Sequence, residues 1–285
     1  MNTNKITGLS NIGNTCFINS SLQILFNCNN LVSFMLESKF ENINLIKYQR
    51  TFFDYFNTNT ETLGPVILLN RYKTINNKYF GNSQEDSHEY LTFIIDDLYE
   101  LSKNEYQDVI KKFFDISLET RITCSECNYC TSSKFSEKIL SLSITNKSTL
   151  NECLDDFLNH EILDTWKCDK CSVKNAIKQI HIIDVPTYLI IGLKRFEFNN
   201  NRFEKNISTI EILNELSIHN TNYELKGIIF HFGNQNYGHY MAAINKLDKW
   251  IFIDDTNINV IEWSNIIKLL PNAYILLFQK KLILT

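Results

Sequence analysis

The stretch GLSNIGNTCFINSSLQ, residues 8–23, places a cysteine at the start of a helical pattern, with two glycines and two asparagines crowded in front of it. After Cys16 the residues Ile18, Leu22, Leu25 and Phe26 recur at the spacing of one helix face, so that face is expected to meet the core. A thiol attacks only as thiolate, and the positive end of a helix favours that charge. Asn14 or Thr15 can serve as N-cap, which puts Cys16 in the first turn. Gly8 and Gly13 allow the backbone to approach a substrate closely or to take positive φ. Taken alone, Cys16 is equally well a small buried hydrophobe. A partner base decides between the two.

The chain has six histidines. His160, His181 and His219 stand in ordinary polar or strand contexts, and His88 lies on a second helix. That leaves His231 and His239, on either side of the loop FGNQNYG (232–238). His239 has the stronger case because of the hairpin HYMAAINKLDKWIFIDD (239–255). If residues 245–248 form a four-residue loop, Ile244 pairs with Lys249, and five steps outward His239 pairs with Asp254. Directly opposed residues share a face with Cβ atoms about 5 Å apart, so the carboxylate can hold the imidazole tautomer and stabilise its cation. A loop one residue longer brings Asp255 instead, and both acids stand as candidates.

With 285 residues, 44% of them hydrophobic, the chain can build a substantial core. A net charge of −4 and a pI near 5.9 disfavour nucleic acid or an anionic membrane as general partner and suit a basic protein. No basic-then-apolar leader is present, and no apolar run approaches the roughly 18 residues of a membrane helix. The expectation is a soluble, monomeric, intracellular protein of the cytoplasm and/or nucleus. Heavy use of Asn, Ile and Lys with only 3 Pro fits an AT-rich genome, such as those of some large DNA viruses and protists. No repeat, low-complexity linker or charge block divides the chain, and FNNNR (198–202) reads as a surface loop.

The first part reads as helical, including a helix near SQEDSHEYLTFIIDDLYE (83–100), where Ser83 and Asp86 resemble a capping pair. From about residue 115 the period becomes two, as in KILSLSI (138–144). The last third holds the β-type runs TYLIIGLKRF, LKGIIFHF, HYMAAI, KWIFID and AYILLFQ, expected to form a mostly antiparallel sheet against the helices.

Of the eight cysteines, Cys124 and Cys127 form CSEC, and Cys168 and Cys171 form CDKC. Two thiolates two residues apart make a knuckle that supplies half of a tetrahedral Zn²⁺ site, and intervening strands can bring the halves together. The alternative is four free or disulfide-bonded cysteines. Cys130 reads as a spare thiol or an alternative ligand, and Cys28 and Cys153 as helix packing residues.

Together these segments resemble the ubiquitin-specific proteases, papain-like cysteine deubiquitinases. GLSNIGNTCFINSSLQ resembles the family's cysteine box, NSQEDSHEYL (82–91) its Gln-Asp box, and YGHYMAAI with WIFIDD its histidine box. VPTYLIIGLKRF resembles the Leu-Lys-Arg-Phe strand and AYILLFQ the closing strand, in the right order from about residue 7 to about 280. The resemblance implies an α+β, papain-like fold in one catalytic domain. Its parts would be a helical thumb over about 7–115, zinc-bearing fingers over about 116–187 and a palm sheet over about 188–285.

By position, the resemblance makes Cys16 the nucleophile, His239 the base and then acid, Asp254 the orienting carboxylate and Asn11 an oxyanion donor. It makes ubiquitin and ubiquitinated proteins the partners. It places structural zinc on Cys124, Cys127, Cys168 and Cys171, in fingers that grip ubiquitin. Gln84 and Asp86 stand where the family meets ubiquitin's basic tail, although Asp86 is equally a helix cap. Phe196, Gly238 and Tyr240 match positions that line the channel for the terminal glycines. Ile12, Phe17, Ile18 and Glu85 are mild departures. Tyr237 stands where many members have a second glycine, which bears on the loop and on the fit of the tail. Two other readings share the motifs: a catalytically silent ubiquitin-binding relative, and a protease for another ubiquitin-like modifier.

Overall fold

The computed structural model describes residues 3–58, 60, 62–76, 83–103, 105–199, 202–234 and 237–281. Parts of the loops expected at 198–202 and 232–238, and Asn82 of the Gln-Asp box, lie outside the described residues. A two-residue strand β1 (Gly8–Leu9), parallel to β2 (Thr62–Leu63), leads into helix α1 (Cys16–Leu25). Helices α2 (Asn29–Glu37), α3 (Ile43–Asn57), α4 (Val66–Ile75), α5 (Ser87–Leu101) and α6 (Gln107–Phe114) complete the helical layer.

The one-faced reading of α1 falls short, because all of its residues are buried, between α5 and the main sheet. Its polar side therefore needs internal partners, since an unpaired buried donor or acceptor costs about 1–3 kcal/mol. Ser21 Oγ donates to the Phe17 carbonyl at 2.7 Å. Gln23 donates to the Thr7 carbonyl at 2.9 Å and accepts from Tyr55 Oη at 2.6 Å. Just past the helix, Asn27 Nδ2 bonds the carbonyls of Lys226 and Asn245 at 2.9 and 3.1 Å, fastening it to the sheet.

Beyond α6 come β3 (Ile116–Cys124), β4 (Cys130–Glu137), β5 (Leu140–Ser143) and α7 (Leu150–Leu158), which opens with a Thr149/Glu152 capping box. Strands β6 (Glu161–Lys167) and β7 (Lys174–Asp184) follow. A four-stranded sheet in the order β4-β3-β7-β6 forms a distal arm. The main sheet uses β8 (Tyr188–Lys194), β11 (Glu215–Ile218), β12 (Thr221–Gly233), β13 (Gly238–Lys246), β14 (Lys249–Asp254), β15 (Asn257–Val260) and β16 (Ala273–Lys280). Between them, β9 (Phe196–Asn199) and β10 (Arg202–Lys205) form a hairpin, and α8 (Trp263–Leu269) precedes β16.

The main sheet runs β15-β14-β13-β12-β16-β8-β5, with β11 paired to β12. Among the described residues its only parallel strand pair is β5 with β8, so within residues 116–187 both β5 and α7 turn back from the arm to the main sheet. Both faces of this sheet are covered. Ile190, Ile229, Ile244 and Leu277 meet the helical layer, whereas Ile191, Ile228, Ala243 and Leu276 pack with α7 and α8 on the other side. Two-sided burial explains why its strands read as continuous apolar runs rather than alternating ones.

Three thumb helices meet at a buried carboxylate. Asp97 on α5 takes a bidentate Arg71 from α4, with Nε to Oδ2 at 2.8 Å and Nη2 to Oδ1 at 2.6 Å. It also accepts from Tyr48 Oη on α3 at 2.8 Å. Removing the acid leaves a cation and a phenol without their shared acceptor. Asp97→Ala should therefore destabilise the domain by about 3 kcal/mol, read as a lower urea midpoint at unchanged slope.

Candidate functional site

The chain reaches the cleft through two consecutive residues at positive φ, Gly13 (112°) and Asn14 (52°), which turn it sharply into α1. Thr15 occupies the N-cap position without capping. Its Oγ1 instead accepts from Ile12 N at 3.0 Å. No side chain caps α1, so the positive end of the helix is directed at Cys16, its first residue. Gly8 plays a different part from the one expected, since a Cβ there would lie 2.8 Å from the Thr256 carbonyl oxygen. That glycine permits close approach to the β14–β15 turn of the protein itself.

The β13–β14 hairpin departs from the expected register. Lys246 pairs with Lys249 across a two-residue turn in which Leu247 and Asp248 both have positive φ, 52° and 58°. Ile244 thus pairs with Ile251 rather than Lys249. Extending the ladder puts Asp254 opposite Met241, two positions from His239. A shift of two keeps both side chains on the same face, and the diagonal is short enough to bridge. His239 Nε2 lies 2.7 Å from Asp254 Oδ1. The sequence hid this turn because Leu-Asp lacks the glycine or asparagine that normally announces a tight hairpin.

Asp255 is turned away from that bond by its own φ of 51°. Its Oδ2 accepts from Asn11 Nδ2 at 3.0 Å and its Oδ1 from Asn19 Nδ2 at 2.7 Å, while its carbonyl accepts from Leu9 N at 2.9 Å. Asn11 Oδ1 in turn accepts from Gly13 N at 3.3 Å and Thr15 N at 3.0 Å. The amide of Asn11 is therefore held on both sides.

The Cys16 side chain, and after it Asp254, raises the pKa of His239 to about 9 against the opposing effect of burial. With Nε2 engaged by Asp254, Nδ1 is the nitrogen left for sulfur. Cys16, His239, Asp254 and Asn11 are thus brought into one cleft.

The second group also converges. Gly238 N donates to Gln84 Oε1 at 2.8 Å. Asp86 caps α5 through His88 N at 2.6 Å and Glu89 N at 3.3 Å, and its Oδ2 accepts from Tyr274 Oη at 2.6 Å and Tyr240 Oη at 3.5 Å. Phe196 packs on Tyr274 with ring centroids 6.1 Å apart. Tyr237 does not have positive φ, whereas Gly233, on the other side of the loop, has φ 107°. Asn234 Oδ1 fixes Tyr237 N at 3.0 Å, and the ring is 76% exposed.

Sequence reasoning missed Asn19, Tyr274 and the place of His231 behind Gly238. Asn19 did leave a signal, as an amide in a helix interior where asparagine is unfavourable. Tyr274 left none, being one aromatic among several in a strand.

At the tip of the distal arm, the four sulfurs of Cys124, Cys127, Cys168 and Cys171 lie within 4.8 Å of one another. Cys124 is 3.6 Å from Cys171, and Cys127 is 3.7 Å from Cys168. A tetrahedral site with Zn–S of about 2.3 Å has sulfur–sulfur edges of about 3.8 Å. Backbone amides of Cys127 and Glu126 draw Cys124 down to about 7. The Val173 amide pulls Cys171 the same way, but burial and the neighbouring sulfurs push it above the ordinary thiol range. The four cysteines could hold a metal ion. Cys130 is exposed and outside the group. Cys28 and Cys153 are buried in the two cores.

A family model described as ubiquitin carboxyl-terminal hydrolase matches residues 7–278. Relatives include the probable ubiquitin carboxyl-terminal hydrolase 8 of Schizosaccharomyces pombe, 28% identical over 98% of this chain and 66% of that protein. Ubiquitin carboxyl-terminal hydrolase 4 of Arabidopsis thaliana is 28% identical over 90% of this chain and 86% of its own. The chain spans less of other relatives, such as 35% of Arabidopsis hydrolase 23. Among solved structures, Ubp8 in a SAGA DUB module with Sgf11, Sus1 and Sgf73, bound to monoubiquitin, matches with a TM-score of 0.85 and 28% identity. That match covers 99% of this chain and 71% of the other. The module bound to ubiquitin aldehyde matches with a TM-score of 0.82. A family match spanning nearly the whole length, on a fold shared with Ubp8, means that this chain belongs to the ubiquitin carboxyl-terminal hydrolase family.

Proposed function

We propose that this chain is a thiol protease that cleaves the peptide or isopeptide bond after the C-terminal glycine of ubiquitin. The observation that carries the reading is the set of Cys16 at a helix start, His239 near enough for the Cys16 side chain to raise its pKa, and Asp254 Oδ1 2.7 Å from His239 Nε2. Membership of a family whose relatives are named ubiquitin hydrolases supports the substrate. So does a cavity of about 290 Å³ whose lining includes Asp86, Glu89, Phe196 and Tyr274, carboxylates and rings suited to a basic, extended tail.

In the reaction, the Cys16 thiolate attacks the glycine carbonyl carbon. The resulting oxyanion is met by the Asn11 amide and the start of α1. The His239 imidazolium then gives its proton to the leaving lysine amine as the C–N bond breaks, which leaves a thioester on Cys16. A water molecule, losing its proton to His239, attacks the thioester. The C–S bond breaks, ubiquitin leaves with a free carboxylate, and the thiolate and imidazolium are restored. Asp254 holds the imidazole in the orientation that both transfers need.

The four cysteines fit zinc by donor type and spacing, and zinc there would pin the ends of the distal sheet without touching a reacting atom. The eight thiols are free, which supports work in a reducing compartment, the cytoplasm and/or nucleus. No helix among the described residues is long and apolar enough to cross a membrane.

A ubiquitin probe with a C-terminal electrophile should label wild type and not Cys16→Ala. Labelling of the mutant, or labelling of wild type only by probes built on other modifiers, rejects the proposal. Asn11→Ala should lower kcat about 100-fold or more with KM nearly unchanged.

The raised pKa of His239 has a defined sign. Protonation of His239 stabilises the fold fully below about 6.5, and this contribution is lost as pH rises through about 9. The alkaline limb of kcat/KM should accordingly fall near pH 9. Asp254→Ala should move that limb to lower pH. Metal analysis of protein purified without added zinc should find about one equivalent, lost in Cys168→Ser.

A further inference from the structure

His231 is buried to 4% exposure, and nothing in the reaction above uses it. It pairs across the ladder with Tyr240, and its ring reaches diagonally to Gly238. A Cβ built on Gly238 would meet His231 Nε2 at 1.9 Å, Cε1 at 2.8 Å and Cδ2 at 2.9 Å, and these are its three nearest atoms. The imidazole therefore fills the space where a side chain at 238 would go. Gly238 does not have positive φ, so the obstacle to a side chain there is this ring and not the backbone.

The same ring touches the other residues that the family resemblance assigns to the glycine channel, and Tyr274 beside them. It packs edge-on against Phe196 at 5.5 Å, tilted against Tyr240 at 4.7 Å, and 6.2 Å from Tyr274. Its backbone carbonyl accepts from Lys205, which also bonds Asn272 Oδ1 at 3.2 Å and so pins the hairpin that begins with Phe196. Nδ1 is buried without a hydrogen-bond partner among the described residues. A buried orphan nitrogen is a cost that packing alone does not explain. Burial, together with the nearby Lys205 cation, keeps the ring neutral by lowering its pKa to about 4.

We infer that His231 is a positioning residue for the substrate tail: its imidazole backs Gly238, dictates glycine at that position, and fixes the width of the channel between Phe196, Gly238 and Tyr240. It acts through Gly238 and the flanking rings and takes no part in proton transfer. The inference rests on the deubiquitinase reading. It adds to that reading the reason why the residue before His239 must lack a side chain.

The test is a double-mutant cycle on the full chain with a fluorogenic ubiquitin C-terminal amide. His231→Ala should raise KM about tenfold with kcat changed less than about threefold, because the floor loosens while the dyad stays. Gly238→Ala should be nearly inactive. Combining the two should recover at least tenfold over Gly238→Ala, since the new methyl then occupies the space the ring has left. A role confined to stability would make the double mutant worse than either single one.

His231→Asn, shorter and still polar, replaces the alanine variant if that one does not fold, and it should rescue Gly238→Ala in the same way. Alkylation of Cys16 by iodoacetamide, followed by mass spectrometry, reports on the dyad without the tail and should be unchanged in His231→Ala. An unchanged KM in His231→Ala, or a double mutant as inactive as Gly238→Ala, overturns the inference while wild-type turnover leaves the parent reading intact. Failure of wild type to turn over the ubiquitin amide overturns both.

Discussion

The cleft depends on the tight turn that joins β14 to β15, where two adjacent carboxylates are sent to different tasks. Asp254, at the end of its strand, faces His239. Asp255, in the left-handed region that aspartate tolerates better than most residues, faces Asn11 and Asn19. One turn therefore orients His239 through the first acid and Asn11 through the second. The turn also grips the helical layer, through the Leu9 amide and the close pass of Gly8. The catalytic cysteine belongs to that layer and the histidine to the sheet, so the distance between them is only as well defined as this junction.

The two histidines near the cleft show how environment divides one residue type into two roles. His239 lies beside a thiol and a carboxylate and is raised to about 9. His231, on the neighbouring strand, is buried beside Lys205 and lowered to about 4. Charge on the first is useful, and charge on the second would put a cation into the wall of rings. Arg195 beneath them is fully buried and sends its guanidinium to the carbonyls of Ala273, Asn206, Ser208 and Leu270.

Much of this was legible before any coordinates. Local chemistry announced the helix start at Cys16, the Asp86 cap, the two cysteine knuckles and the pairing of His239 with an acid. The four-residue loop that would set Asp254 opposite His239 is a two-residue turn. Asp254 still reaches His239 because the two differ by an even shift that preserves the face, whereas a loop one residue longer would have brought Asp255. The partners of Asp255 were beyond reach, since they join residues 236 and 244 positions apart. No local pattern encodes such a contact. Complete burial of α1 was hidden for a related reason. Several groups on its polar side bond Thr7, Leu9 and Tyr55, and a sequence read alone takes that side for a solvated face.

The distal arm follows from a different constraint. Strand β4 is exposed along nearly its whole length and β6 along most of its own, so this sheet buries too little apolar surface to define its far end. Small cores of this kind need a staple. A disulfide would draw two sulfurs to about 2.05 Å and tie one strand connection to the other at a single point. Here the two knuckles turn through matched left-handed residues, Asn128 at 56° and Ser172 at 63°, and hold their sulfurs 3.6 and 3.7 Å apart across the gap. That spacing surrounds a sphere rather than forming a bond. Four thiolates around one cation would tie β3, β4, β6 and β7 together at once, and would give the arm at its tip the rigidity that the main sheet obtains from two hydrophobic cores.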